Sequence, residues 1–303
     1  MPSARAFLQL VRAPNLFTAV SNVVAGFTLM AALDDSQFAH PPWHRLGILA
    51  LVSAALYASG AVFNDCLDFE HDCRFRPERP IPSGAISLGR AYLLGFGLVV
   101  AAVGGAMLLG ATTVLFTGLL ITATWFYNGV MKRFMLPGAL SMGLCRALNI
   151  LLGMSTGMSL GSYRVNPVIV WAPLLLGVYT AIVTAASHYE DNPAGRGGPW
   201  VLFGAAAGLP LTLLGVAVKV VTELPGRALL ALLIPATAAV FITALMQVTF
   251  ASVRRAIALS VMLVIVFDAA VVMGTRNAPL WLGLVTLLLL APAGLLARAI
   301  SAS

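Results

Sequence analysis

One segment concentrates the residues able to do chemistry. It reads Asn64-Asp65-Cys66-Leu67-Asp68-Phe69-Glu70-His71-Asp72-Cys73-Arg74-Phe75-Arg76-Pro77-Glu78-Arg79-Pro80-Ile81-Pro82-Ser83-Gly84 and holds five of the eleven acids in the chain. If the preceding helix continues through it, Asn64, Asp68 and Asp72 recur every four residues and stack on one face. Such a row of hard oxygens repels itself until a divalent cation joins it. Mg²⁺ takes one or two carboxylates and completes its octahedron with substrate phosphates and water, so the ladder predicts a metal-bridged phosphate ligand. Arg74, Arg76 and Arg79, in a stretch stiffened by Pro77, Pro80 and Pro82, add the positive charge that phosphate binding needs. The plainer alternative is a solvated loop in which acids and arginines merely pair.

The elements that must position this segment are membrane helices. Of 303 residues, 60% are hydrophobic and only 10% charged, with a mean hydropathy of +0.94, which excludes a water-soluble globule. Ten apolar runs are long enough to span hydrocarbon: Asn15–Leu33, Leu46–Phe63, Ala91–Leu109, Ala111–Asn128, Ala139–Ser159, Val168–Ser187, Trp200–Val221, Ala228–Val248, Ala256–Val272 and Leu280–Leu296. They lack the ten-residue alternation of a barrel, so the expected fold is all-α, one polytopic bundle over residues 1–303. The run after Arg5 and Arg12 is longer than a signal core and is read as an uncleaved first span. A net charge of +7 reflects basic loops rather than a nucleic-acid partner. With the N-terminus inside, twelve basic residues fall on the cytoplasmic side and five outside, which supports that orientation. It also brings the polar loops Asn64–Arg90 and His188–Pro199 to one membrane face.

The first loop resembles the leading signature of the UbiA superfamily of intramembrane prenyltransferases, through Asn64-Asp65-x-x-Asp68-x-x-x-Asp72 and Arg79-Pro80-Ile81-Pro82-Ser83-Gly84. The likeness extends more loosely to Leu10–Gly26, to Tyr127-Asn128-Gly129-Val130-Met131-Lys132-Arg133 and to Arg146-Ala147-Leu148-Asn149. It implies a bundle of nine or ten transmembrane helices around a central cavity that opens to the cytoplasmic leaflet. A polyprenyl diphosphate donor and a lipophilic, aromatic acceptor would enter it, with membrane lipids around. By the same resemblance Asn64, Asp65, Asp68 and Asp72 would hold Mg²⁺, while Arg79, Lys132, Arg146 and Asn149 would bind diphosphate and Tyr127 would sit near the allylic carbon. Finer similarities, in Leu10–Val20 and Ser187–Asp191, are to branches from bacterial metabolite clusters, which implies the bacterial inner membrane with the site facing the cytoplasm.

The family's second aspartate-rich motif is degenerate here. Ser187-His188-Tyr189-Glu190-Asp191-Asn192 supplies Asp191, but its partner four residues earlier is Ser187. Glu190 and Asp191 are expected as metal ligands or acceptor-orienting groups, Asp191 with a catalytic part alongside Asp68, Asp72 and Tyr127, and His188 as a proton acceptor. Cys66, Cys73 and Cys145 are expected as reduced thiols, and with His71 they match no zinc spacing. Arg146 and Asn149 are costly in lipid and should face the cavity or a partner. Asn22 reads equally as a helix-to-helix contact, and Asp268 as a salt bridge, a snorkelling group or a site. A transporter, or an isoprenoid-lipid binding protein without catalysis, remains the alternative; transporter sites lie near the bilayer midplane, whereas these acids stand at a helix end.

Overall fold

The computed structural model describes residues 4–33, 42–158, 166–190, 194–195 and 197–301. No strand occurs among them. The helices are α1 (Ala4–Leu10), α2 (Ala13–Ala31), α3 (Trp43–Leu67), α4 (Phe69–Phe75), α5 (Leu88–Met107), α6 (Ala111–Gly129), α7 (Met135–Met154), α8 (Pro167–Ser187), α9 (Gly198–Lys219), α10 (Leu224–Gln247), α11 (Phe250–Met273), α12 (Leu280–Leu288) and α13 (Leu290–Ser301). Nine stretches among the described residues are long and apolar enough to cross a membrane, with α12 and α13 counted as one, Leu280–Ile300. Helix α6 is the tenth long helix and is less apolar, since it carries five threonines, Tyr127 and Asn128. Thr112, Thr113, Thr117 and Asn128 on it are buried, whereas Leu115, Leu119 and Phe126 are exposed, as suits a helix with lipid outside and a polar interior.

Short connections make neighbouring helices antiparallel. The α5–α6 hairpin turns on Gly110, whose φ of +117° is costly for any residue with a Cβ. The central helix is α7, packed on α2, α6 and α8. Small residues bring it close: a Cβ on Gly153 would lie 2.5 Å from the Val23 carbonyl oxygen of α2, and one on Gly143 would lie 2.5 Å from the Gly177 carbonyl oxygen of α8.

The expected unbroken helix through the acidic segment is a helix with a joint. Asp68 ends α3 and begins α4 with φ −89° and ψ 4°. The bonds from Asp68 N to Asn64 O (3.0 Å) and from Asp72 N to Asp68 O (2.8 Å) still carry the i to i−4 pattern across it. The acids therefore keep helical spacing while the chain turns out of the bundle. The last expected span is likewise divided, into α12 and α13, and α13 returns to the mouth, where Arg5 donates to the Ile300 carbonyl oxygen at 2.8 Å.

Candidate functional site

Three carboxylates and three cations meet where α3 leaves the bundle. Lys132, on a single 3-10 turn (Met131–Arg133) after α6, donates to both carboxylate oxygens of Asp68 at 2.7 Å and to Asn64 Oδ1 at 3.0 Å. Arg79 donates to Asp72 Oδ2 at 2.7 Å and to Asp65 Oδ1 at 3.3 Å. Arg12 reaches the same Asp65 oxygen at 3.2 Å. Formal charges cancel, three against three, which is how the acids tolerate one another on one helix face. Asp65 is buried between two guanidinium groups, so its lone pairs serve to hold the arginines. Asp72 is buried too, yet its Oδ1 has no hydrogen-bond partner, only the His71 imidazole nitrogen 3.7 Å away, a costly state for a carboxylate oxygen. That orphaned oxygen beside Asp68 and Asn64 is the donor set a hard divalent cation would complete, so the residues present fit Mg²⁺.

Arg12 is the site residue that sequence reading missed, having been counted only as a topology charge. It separates α1 from α2 in the left-handed conformation, φ 50°, which directs the guanidinium back over the mouth. Desolvation works against its charge, but Asp65, with Tyr57 and Tyr127 nearby, leaves its pKa above the ordinary arginine value. A positive φ cannot be read from a sequence that has no glycine there.

Below the mouth lies a cavity of about 130 Å³. Arg12, Asn64 and Tyr127 line its upper part, and Ser53, Tyr57, Cys145, Arg146 and Asn149 contribute deeper walls. Tyr127 thus lines the cavity. Arg146 and Asn149 share the cavity but not the acidic cluster. The Arg146 guanidinium stands 5.6 Å from the Tyr57 ring centre, and Tyr57 is seven residues before Asn64 on α3, about 10 Å deeper at the helical rise. Arg146 donates to Thr18 Oγ1 at 2.8 Å and to Asn22 Oδ1 at 3.0 Å. Asn149 donates to the Ala19 carbonyl oxygen at 2.8 Å and accepts from Ser53 at 2.8 Å. Asp268 does not snorkel and has no salt bridge among the described residues: it is fully buried and accepts from Ser21 Oγ and Asn22 Nδ2, each at 2.6 Å.

On the other side of the mouth, Glu190 Oε1 accepts from Arg254 Nε at 2.8 Å. Both border an open basin that His71, Glu78 and Arg79 also line, so the second polar loop does share a face with the first. Asp191 lies outside the described residues. Among the described residues no three His, Cys, Asp or Glu side chains cluster as a ready metal site; Asp65, Asp68 and Asp72 are each drawn to a cation instead. The three thiols are free.

The chain is similar to known proteins. A family model described as the UbiA prenyltransferase family matches residues 23–255. A digeranylgeranylglyceryl phosphate synthase from Ignicoccus hospitalis is 32% identical over 149 residues, which is 49% of this chain and 46% of that one. A protein of the same name from Methanopyrus kandleri is 27% identical over 255 residues, covering 80% and 89%. The chain spans about half the length of the first curated relatives it matches. The solved structure of a UbiA homolog from Archaeoglobus fulgidus bound to DMAPP and Mg²⁺ superposes with a TM-score of 0.56 at 15% identity, over 88% of this chain and 98% of that one, a likeness of fold.

Proposed function

The chain belongs to the UbiA prenyltransferase family, and from that premise we propose that it transfers a prenyl group from a polyprenyl diphosphate to a lipophilic acceptor inside the membrane, with Mg²⁺ as cofactor. The observation that carries this reading is the neutral cluster at the cavity mouth, in which Lys132 and Arg79 sit on the carboxylates that would otherwise take a cation. Bound Mg²⁺ supplies positive charge that stabilises the leaving diphosphate. Asn64, Asp68 and Asp72 would hold it, which frees Lys132 and Arg79 to turn their donors onto diphosphate oxygens. The allylic C–O bond breaks with its electron pair going to the diphosphate. Lys132, Arg79 and Arg12 are fixed near where that charge collects, so electrostatics supplies most of the rate. The cavity keeps bulk water from the allylic carbon, with Tyr127 in its wall, and the acceptor bonds to that carbon while its proton passes to the released diphosphate.

The acceptor reading divides. An aromatic ring suits a pocket walled by Tyr57 and Tyr127, whereas a glyceryl phosphate lipid accords with the names of the relatives and with the buried Arg146 at depth. In both, the reaction takes place in a membrane and the mouth faces the cytoplasm, the side that basic residues favour. Glu190, which borders the basin at the mouth, would hold metal or orient the acceptor from the second loop.

The test is diphosphate release by purified protein in liposomes, with and without Mg²⁺, from dimethylallyl, geranyl and geranylgeranyl diphosphate, with membrane extract as a mixed acceptor. Metal-dependent release with a new prenylated lipid by mass spectrometry is expected. No release from any donor by folded protein would sink the enzyme reading.

A further inference from the structure

We propose that Asp268 is a positioning residue that, through Asn22, sets the Arg146 guanidinium to receive the anionic head group of the acceptor. The inference rests on the reading above that the cavity takes the acceptor.

Asp268 lies on α11, beyond residue 255 where the family match ends, and is fully buried in an otherwise apolar run. A carboxylate there is expensive, and this one is not even satisfied: Oδ2 takes two bonds, while Oδ1 is buried with none. A group kept only to join two helices would do so at less cost as a serine or an amide. What a carboxylate adds is direction and charge. Because Oδ2 is a pure acceptor, it fixes which way the Asn22 amide points: Nδ2 toward Asp268 at 2.6 Å, hence Oδ1 toward Arg146 at 3.0 Å. With Thr18 taking the other guanidinium nitrogen at 2.8 Å, Arg146 is pinned from behind on α2 and faces Tyr57 across the cavity wall.

Arg146 has only neutral atoms as its hydrogen-bond partners, Asn22 and Thr18, and no carboxylate stands within ion-pair distance of it among the described residues. Its charge is balanced one amide away, by Asp268. A guanidinium held this way can stay ionised in an apolar bundle and still present its cavity side to an incoming anion, which a direct salt bridge would occupy. The chemistry recognised is a phosphate or carboxylate on a lipophilic body.

Cys145, adjacent to Arg146 and lining the same cavity, reports occupancy without any need for turnover. In a Cys66→Ala/Cys73→Ser background, the rate of Cys145 alkylation by N-ethylmaleimide is measured against geranylgeranylglyceryl phosphate and against geranylgeraniol, which shares the tail but has a neutral head. The unaltered cavity is expected to be protected by the phosphate lipid at lower concentration. Asp268→Asn should raise that concentration by about tenfold, the usual scale for an outer residue that orients a ligand group, and leave geranylgeraniol unchanged. In an Arg146→Gln background Asp268→Asn should add nothing, and Asn22→Leu should reproduce it should the aspartate variant not fold. Asp268→Asn with protection unaltered, equal loss for both lipids, full additivity with Arg146→Gln, or no preference for the phosphate head in the unaltered cavity would each overturn the proposal. Mg²⁺-dependent diphosphate release on the same preparations judges the enzyme reading separately: release without head-group selectivity removes this proposal alone, and selectivity without release removes the other.

Discussion

Replacing Lys132 by Met tests whether the ammonium serves as a stand-in for the metal and then as a diphosphate ligand. Lys132 Nζ is 2.7 Å from both oxygens of Asp68 and 3.0 Å from Asn64 Oδ1. At an effective dielectric of about 20, a charge pair at that separation attracts by about 6 kcal/mol, most of it offset by the desolvation of both groups. A charge-assisted hydrogen bond retains roughly 2–3 kcal/mol net. If Lys132 moves that interaction to the diphosphate in the transition state, Lys132→Met should lower kcat/KM for the donor by roughly 30- to 150-fold. With the donor absent the sign reverses. Asp68 and Asn64 lose a competing cation and the mouth gains one net negative charge, so Mg²⁺ should bind the free protein more tightly. Titration calorimetry with Mg²⁺ alone, beside diphosphate release in liposomes, reads both effects. Weaker Mg²⁺ binding in Lys132→Met, or a kcat/KM within threefold of the parent, would refute the reasoning.

Three other outcomes are expected. Asp68→Asn keeps the side-chain shape but removes the carboxylate that offsets Lys132 and halves the charge that Asp68 and Asp72 offer a metal; turnover should fall by about 10³-fold, while the melting temperature in detergent moves little. Gly153→Val forces a side chain against the Val23 carbonyl oxygen at the α2–α7 contact and should cost about 1–3 kcal/mol, seen as a lower melting temperature; an unchanged one would mean that the helices slide apart freely. Glu190→Gln loosens a partly exposed pair with Arg254, for which the effect on stability should stay below about 1 kcal/mol. A loss of turnover beyond a hundredfold in that variant would instead make the second loop a metal centre.

Composition and periodicity were enough to establish the kind of molecule. Unbroken apolar runs cannot be anything but helices where water is absent, because every backbone amide must be bonded within its own segment. Spacing along one helix was equally legible: Asn64, Asp68 and Asp72 share a face because the helical repeat requires it, joint at Asp68 or not. Only the tertiary structure decided who partners those acids. Lys132 and Arg79 neutralise them from sequence distances of 64 and 7 residues, and Arg12 from 53, and no local rule selects one cation among eighteen. The same holds for depth. Arg146 and Lys132 are fourteen residues apart and look alike as basic residues near a motif. The fold puts one at the charged mouth and the other on the cavity wall, against an asparagine from α2 and an aspartate from α11 behind it. That network joins side chains more than a hundred residues apart, so it exists only once helix packing has excluded water and left each buried polar group to find a partner in the protein.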